Sequence, residues 1–248
     1  MAGTSEGASP TVRVFRGPDA APGRDPLLDD FRALRTTFMV KKRWNIVPPD
    51  QTDVDEYDRP EEDTCSIVVE RHGRAAAGTR ITRLRSFYGN SISLRMWQDC
   101  PTFKGDDGRF DQLEEMARRS STDPSSKRLY DVTRLVTRYA ALPDGHHDQR
   151  SAFAYARPDT LRLAGALYGV AGPGSQLVYT VEAGYAAFLQ HCGVRISVLF
   201  EGVIGPQTDG TACVLCLCHS DESFDALRRG STRNAEYFND GLTQVRGA

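Results

Sequence analysis

Apolar residues recur at helical spacing early in the chain: Leu27, Phe31, Leu34 and Phe38 follow at intervals of four, three and four, one stripe of a helix. Asp25 and Pro26 supply a start signal, so the pattern predicts a helix from about Pro26 to Arg43. Residues 1–25 read as a flexible N-terminal tail, in which Val12, Val14 and Phe15 alone offer the alternation of a short edge strand. From Trp44 to Asp63 the pattern is that of a loop, broken by Pro48, Pro49 and Pro60. Cys65 to Arg71 and Ala75 to Leu84 are strand-like runs joined by His72, Gly73 and Arg74, an antiparallel hairpin. A charged helix over Arg109–Arg119 leads to a β-branched strand over Leu129–Arg138. Arg150 to Val170 is mostly helical, with Pro158 expected to kink or restart it. Gln176–Val181, Arg195–Phe200 and Thr211–Cys218 read as strands and Ala183–His191 as a short helix, while residues 221–248 read as a loose polar extension. The order implies a mixed α/β sheet in one domain, residues 26–220, without the Gly-rich opening of a dinucleotide fold.

Composition narrows the function classes. The 31 Lys and Arg are balanced by 33 Asp and Glu, a net charge of −2, which argues against a nucleic-acid partner. No apolar run approaches the roughly 20 residues of a membrane span, and residues 1–10 lack a secretory pattern, so a cytoplasmic protein is expected, its six cysteines reduced.

The charge is not evenly spread. Asp50, Asp53, Asp55, Glu56, Asp58, Glu61, Glu62 and Asp63 gather in the proline-bounded loop. Such a run is ordinarily a solvated surface. Here it follows an aromatic pair: Trp44 stands six residues after Phe38, and Asp53, Asp55 and Asp58 begin nine residues after Trp44. With these intervals the chain resembles the acyl-homoserine-lactone synthases, the autoinducer synthase family. In that family a first-helix Arg precedes the Phe by four residues, and a Glu-x-Asp-x-x-Asp run begins nine residues after the Trp. This chain departs at Asp53, where Glu is usual, and at Arg35, which lies three residues before Phe38. Gly78-Thr79-Arg80 resembles the family's Gly-x-x-Arg region. Tyr130-Asp131-Val132-Thr133-Arg134-Leu135 resembles its Trp-Glu-x-Ser-Arg-Phe strand, with Asp131 again shorter than the usual Glu.

The resemblance implies a GNAT-like fold: a mixed, twisted central sheet with flanking helices and a cleft between splayed strands. It also implies two substrates, S-adenosylmethionine and an acyl thioester on acyl carrier protein or coenzyme A, with no cofactor and no metal. The methionyl amine attacks the thioester, and the carboxylate then displaces methylthioadenosine to close the lactone. Asp53, Asp131 and Arg134 become the catalytic candidates; Arg35, Phe38, Trp44, Asp55, Asp58 and Arg80 become the substrate-binding ones. Carboxylates and an indole face suit a sulfonium cation, arginines suit a carboxylate, and an acid working through water accepts the amine proton. Because Asp131 and Arg134 are three apart on a strand, sharing a face requires a bulge.

Three other readings compete. The segment after Arg138 lacks the pyrophosphate loop of coenzyme A-dependent acetyltransferases, which favours a carrier-protein donor docked on a basic patch of Arg150, Arg157 and Arg162. The shortened acids leave room for a cyclase that releases methylthioadenosine without acyl transfer. Cys213, Cys216 and Cys218 invite a thiol-based metal module, and His146-His147 a ligand pair, although the cysteines also read as small hydrophobes of a buried strand.

Overall fold

A computed structural model describes residues 9–41, 63–97, 107–123, 125–138, 149–204 and 211–246. Seven strands form one sheet: β1 (Thr11–Arg16), β2 (Thr64–Arg71), β3 (Arg74–Arg83), β4 (Leu129–Thr137), β5 (Gln176–Glu182), β6 (Ile196–Val203) and β7 (Ala212–His219). They lie in the order β1-β2-β3-β4-β5-β7-β6. All neighbours are antiparallel except β4 and β5, whose crossover is the helix α5 (Gln149–Ala171). The β2–β3 hairpin closes through His72 and Gly73, with φ of 52° and 76°, the paired left-handed geometry that matches strand twist and that Gly73 adopts without strain.

Helix α1 (Pro26–Lys41) covers β2, β3 and β4 on one face. Its predicted stripe is the buried one: Leu27, Phe31 and Leu34 are buried beneath Val68 and Val136, with Phe38 half-buried at the margin. The short helices α2 (Phe87–Asn90) and α3 (Ile92–Arg95) and the longer α4 (Asp107–Thr122) continue that face over β4, β5 and β7, around Trp97 and Phe110. On the other face α5 and α6 (Ala183–His191) bury a larger core that contains Ile67, Ile81, Val132, Tyr179 and Cys216.

Three expectations change. β1 adds Val12 and Phe15 to the cores and pairs fully with β2, so ordered structure is present by Thr11, within the stretch read as a tail. Pro158 neither breaks nor restarts α5. The turn around it is fastened from outside, since Arg71 on β2 makes a two-pronged contact to Asp159 and Arg162 joins the same carboxylate. The residues after Ser220 are not a loose extension: α7 (Ser220–Arg229) and α8 (Thr232–Arg246) pack on α5. Asn234, Phe238 and Leu242, spaced by four, are buried on one side of α8. The approach is close enough that a methyl at Gly241 would lie 2.0 Å from the Arg162 carbonyl oxygen, and one at Gly165 would lie 2.0 Å from that of Phe238.

Candidate functional site

The site is built around the parting of β4 and β5. Their parallel ladder holds from Leu129 opposite Gln176 to Val132 opposite Tyr179, then ends, although β4 runs on to Thr137 and β5 to Glu182. Beyond that rung no ladder joins the two strands among the described residues.

On β4 the next residues are Thr133 and Arg134. The β3–β4 register runs Val132 with Ile81 and Thr133 with Arg80, then slips to Val136 with Gly78, so β4 carries one extra residue. Arg134 takes it up with a left-handed φ of 57°. This is the bulge that the motif demanded. Its effect on the faces is visible on either side. Asp131 pairs with Thr82 and Thr133 with Arg80, while Val136, an odd number of residues beyond Thr133, returns to the α1 face to pack with Phe31.

Arg80 and Arg35 are both fully buried. Arg80 donates from Nε to the Thr133 hydroxyl at 3.2 Å, across the rung that the two strands share. Arg35 lies with its guanidinium 5.5 Å from the Phe31 ring, so its displacement in sequence has not carried it out of the α1–sheet interface. Both side chains make further contacts. Phe38, half-buried at the edge of the same cluster, lies three residues beyond Arg35 on α1. The structure thus brings Arg35, Phe38, Arg80, Asp131 and Arg134 to the sheet region that α1 and α3 cover. Trp44, Asp53, Asp55 and Asp58, like His146 and His147, lie outside the described residues.

Asp131 is held more completely than a sequence can show. Its Oδ2 accepts from the Ser91 hydroxyl and the Ser93 amide, both at 3.0 Å, and its Oδ1 accepts from the Ser93 hydroxyl at 2.5 Å. Burial nevertheless pushes its carboxyl above the usual aspartate range, against the opposing pull of these donors. Ser91 also caps α3 by accepting from the Leu94 amide. From β5, the Thr180 hydroxyl donates to the Ser93 carbonyl at 3.3 Å and accepts from the Trp97 indole at 3.0 Å. The segment Ser91–Trp97 therefore bridges β4 to β5 at the point where their own ladder gives out. Sequence reasoning passed over Ser91, Ser93 and Thr180; the Ser-x-Ser pair and its Leu94 partner were a capping signal in a stretch with too little periodicity to place.

Behind the sheet, on the α5 face, an apolar cavity adjoins the same opening. Val132 and Leu135 of β4, Leu177 and Tyr179 of β5, and Leu163 and Leu167 of α5 form much of its wall. The basic docking patch is not supported at Arg162, which is buried and pairs with Asp159 at 3.3 Å and Asp240 at 2.6 Å. The metal reading fails on strand geometry. Cys213 packs in the core beneath Trp97, whereas Cys216 and Cys218 pack on the α5 side, so the Cys-x-x-Cys pair points to opposite faces. Among the described residues no group of three His, Cys, Asp or Glu side chains is placed to hold a metal, and no helix is long and apolar enough to cross a membrane.

No family model matches the sequence, and no curated protein does. Solved structures do match. LasI, an acyl-homoserine-lactone synthase, aligns with a TM-score of 0.57 at 15% identity, over 90% of this chain and 96% of that one. BjaI, a CoA-dependent acyl-homoserine lactone synthase solved with SAM and isopentyl-CoA, aligns at 0.54 and 13% identity, over 95% and 90% of the two chains. TofI, solved in a ternary complex with an inhibitor and MTA, aligns at 0.52 and 15% identity, over 90% and 99%. The chain has the fold of these synthases, the GNAT-like mixed sheet with splayed central strands that the motifs implied.

Proposed function

We propose that the chain is an acyltransferase of the acyl-homoserine-lactone-synthase type, which joins the methionyl amine of S-adenosylmethionine to an acyl group delivered as a thioester. The observation that carries this reading is the Arg134 bulge at the rung where β4 and β5 part, with Asp131 and the Arg80–Thr133 pair beside it. A motif read from spacing asked for an irregularity between Asp131 and Arg134, and bulges are common beside active sites. BjaI, solved with SAM and isopentyl-CoA, and TofI, solved with MTA, lend their ligand classes to the proposal.

The chemistry follows from the two faces of the opening. On the α1 face, Arg35, Arg80 and Arg134 supply cationic donors for the methionyl carboxylate, while Trp44, Asp53, Asp55 and Asp58 supply a negative and aromatic lining for the sulfonium. The acyl chain lies in the apolar cavity on the α5 face, with its carbonyl at the cleft mouth, where backbone amides of the splayed strands stabilise the oxyanion. The amine loses a proton, in this reading to Asp53 acting through water, attacks the carbonyl carbon, and the carrier thiol leaves with a proton. The methionyl carboxylate then attacks the carbon bound to sulfur, the C–S bond breaks, and the lactone and neutral methylthioadenosine separate. A lactone of this kind serves as a diffusible autoinducer, so quorum signalling from the cytoplasm is the role that follows.

Mass spectrometry of products from S-adenosylmethionine, with and without octanoyl-carrier protein or octanoyl-CoA, tests the proposal. An acylated lactone that requires a thioester is the expected result, and the carrier that works identifies the donor. Methylthioadenosine released without any thioester would instead indicate the cyclase. Asp55→Asn is expected to abolish turnover while leaving the circular dichroism and melting temperature in place; full activity in that variant would remove Asp55 from the site.

A further inference from the structure

Where the β4–β5 ladder ends, a chain of side-chain contacts takes its place. Val132 and Tyr179 form the last rung, and Thr133 and Thr180 are the next positions on the two strands. Ser93, only 1% exposed, is bonded to both strands. Toward β4 its amide and hydroxyl donate to Asp131, at 3.0 and 2.5 Å; toward β5 its carbonyl accepts from the Thr180 hydroxyl at 3.3 Å. The fully buried Trp97 indole donates to that same hydroxyl at 3.0 Å, which leaves the threonine proton for Ser93. Asp131 is as fully committed. Both lone pairs of Oδ2 accept, from the Ser91 hydroxyl and the Ser93 amide, and Oδ1 accepts from the Ser93 hydroxyl. A general base must reach the proton it removes directly or through one water, and three donors from the Ser91–Ser93 turn already occupy this buried carboxylate.

Resting on the acyl-transfer reading above, we propose that Ser93 is a positioning residue for the reaction: anchored on Asp131, it holds Thr180 and so fixes the stance of β5 relative to β4 at the first open rung, with Asp131 as its anchor and not as the proton acceptor. In a paired sheet the spacing of two strands is set by N–H···O=C bonds; beyond Val132 and Tyr179 it is set by the reach of Asp131, Ser93 and Thr180. Facing Thr180 across the opening, Thr133 is fixed in turn, since its hydroxyl accepts from buried Arg80. The α1-face arginines and the α5-face cavity are thereby held in one register, so that amine and thioester carbonyl meet. A misplacement of about 1 Å at such a junction costs on the order of 100-fold in rate.

The test compares wild type with Thr180→Val, Thr180→Ser, Asp131→Asn and Asp131→Ala, using S-adenosylmethionine and octanoyl thioesters. Thr180→Val keeps the shape and loses the hydroxyl; its kcat is expected to fall at least about tenfold, with the KM for S-adenosylmethionine within about twofold. Thr180→Ser restores the hydroxyl and is expected to return kcat to within about threefold. The Asp131→Asn amide oxygen still accepts, and its nitrogen can donate to the Ser93 hydroxyl, so this variant is expected to keep turnover and the acid limb of the profile of kcat/KM against pH, while Asp131→Ala loses turnover. A Thr180→Val kcat within about twofold of wild type, no rescue by Thr180→Ser, or an Asp131→Asn that is inactive or lacks the acid limb overturns the proposal. Should Thr180→Val fail to fold, Ser93→Ala, which removes one hydroxyl and keeps the amide and carbonyl, carries the same kcat comparison. Deuterium uptake by the segment Ser91–Trp97 reads the tie without turnover, and uptake in Thr180→Val equal to wild type rejects it. If wild type acylates nothing from any thioester, the acyl-transfer reading fails, an outcome distinct from loss of the tie.

Discussion

Replacing Asp131 by Ala removes the acceptor for three donors inside the protein: the Ser91 hydroxyl, the Ser93 hydroxyl and the Ser93 amide. Each buried donor left unsatisfied costs about 1–3 kcal/mol. Part of the sum returns, because the carboxylate's own desolvation, the cause of its raised pKa, disappears with it. A net loss of roughly 2–5 kcal/mol is expected. Urea unfolding of wild type, Asp131→Ala, Ser93→Ala and the double variant measures it, with a coupling of at least about 1 kcal/mol between the two sites. The pH dependence supplies a second reading. A folded-state pKa above the unfolded value means that the folded chain keeps a proton that the unfolded chain releases, so stability from this group is full below the ordinary aspartate range. It is lost as pH rises from there through the raised value. Asp131→Asn lacks that loss, so the gap between wild type and this variant changes across the same window. Additive costs within about 0.5 kcal/mol, or an Asp131→Ala cost under about 1 kcal/mol, would refute the picture of Asp131 as the bolt between β4 and the Ser91–Trp97 bridge.

Gly241→Ala places a methyl against the Arg162 carbonyl oxygen, where backbone on both sides cannot yield, and should cost about 2–4 kcal/mol; an unchanged melting temperature would show that α8 does not sit this close to α5. Asp30 accepts from Arg74, Arg138 and the Ala75 amide, and despite burial these donors hold its pKa below the usual value. Its contribution is present above the unfolded pKa and is lost as pH falls through the folded one, so Asp30→Asn should lose about 1 kcal/mol at neutral pH and flatten the acid limb of the stability curve. Burial pushes the thiols of Cys65 and Cys218 up to about 11 and that of Cys216 up to about 12. These three should resist a disulfide reagent at pH 8 in the folded protein and react in urea, as peptide mapping of labelled cysteines would reveal.

The parts of the fold that sequence disclosed were those in which local pattern and tertiary demand agree. The stripe of Leu27, Phe31 and Leu34 is buried where helical spacing put it, and the β2–β3 hairpin closes at His72 and Gly73 because that pair tolerates left-handed backbone. A bulge between Asp131 and Arg134 was legible as a requirement of the motif, and β4 does slip by one residue at Arg134. What stayed hidden depends on partners distant in sequence. Pro158 stays inside α5, and the residue after it, Asp159, is held by Arg71, 88 positions earlier in the chain. α8 is polar on average, and its role follows from three buried positions and a glycine contact that acquire meaning only against α5. The Ser91–Ser93 bridge has no period to read; its purpose lies in Asp131, about 40 residues on.

The two faces of the opening divide along the same physical line as the two proposed substrates. Arg35 and Arg80 are buried completely beside α1, where a cation is tolerated only with partners, and both have them; the methionyl carboxylate is proposed to join that set. Burying Leu163, Leu167 and Leu177 around a cavity costs little water ordering but sacrifices packing, a loss that an alkyl chain would restore. Between them stands Arg134, held at a φ that an L-residue adopts at a cost of about 1–2 kcal/mol. Thr133 and Val136 lock the backbone on either side, so the strain cannot relax by itself. A sheet optimised for stability alone would have continued β4 in register and filled the cavity. This one instead slips a residue in β4 just beyond the last β4–β5 rung and leaves a void on the α5 face beside it, which is where the proposed acyl transfer would take place.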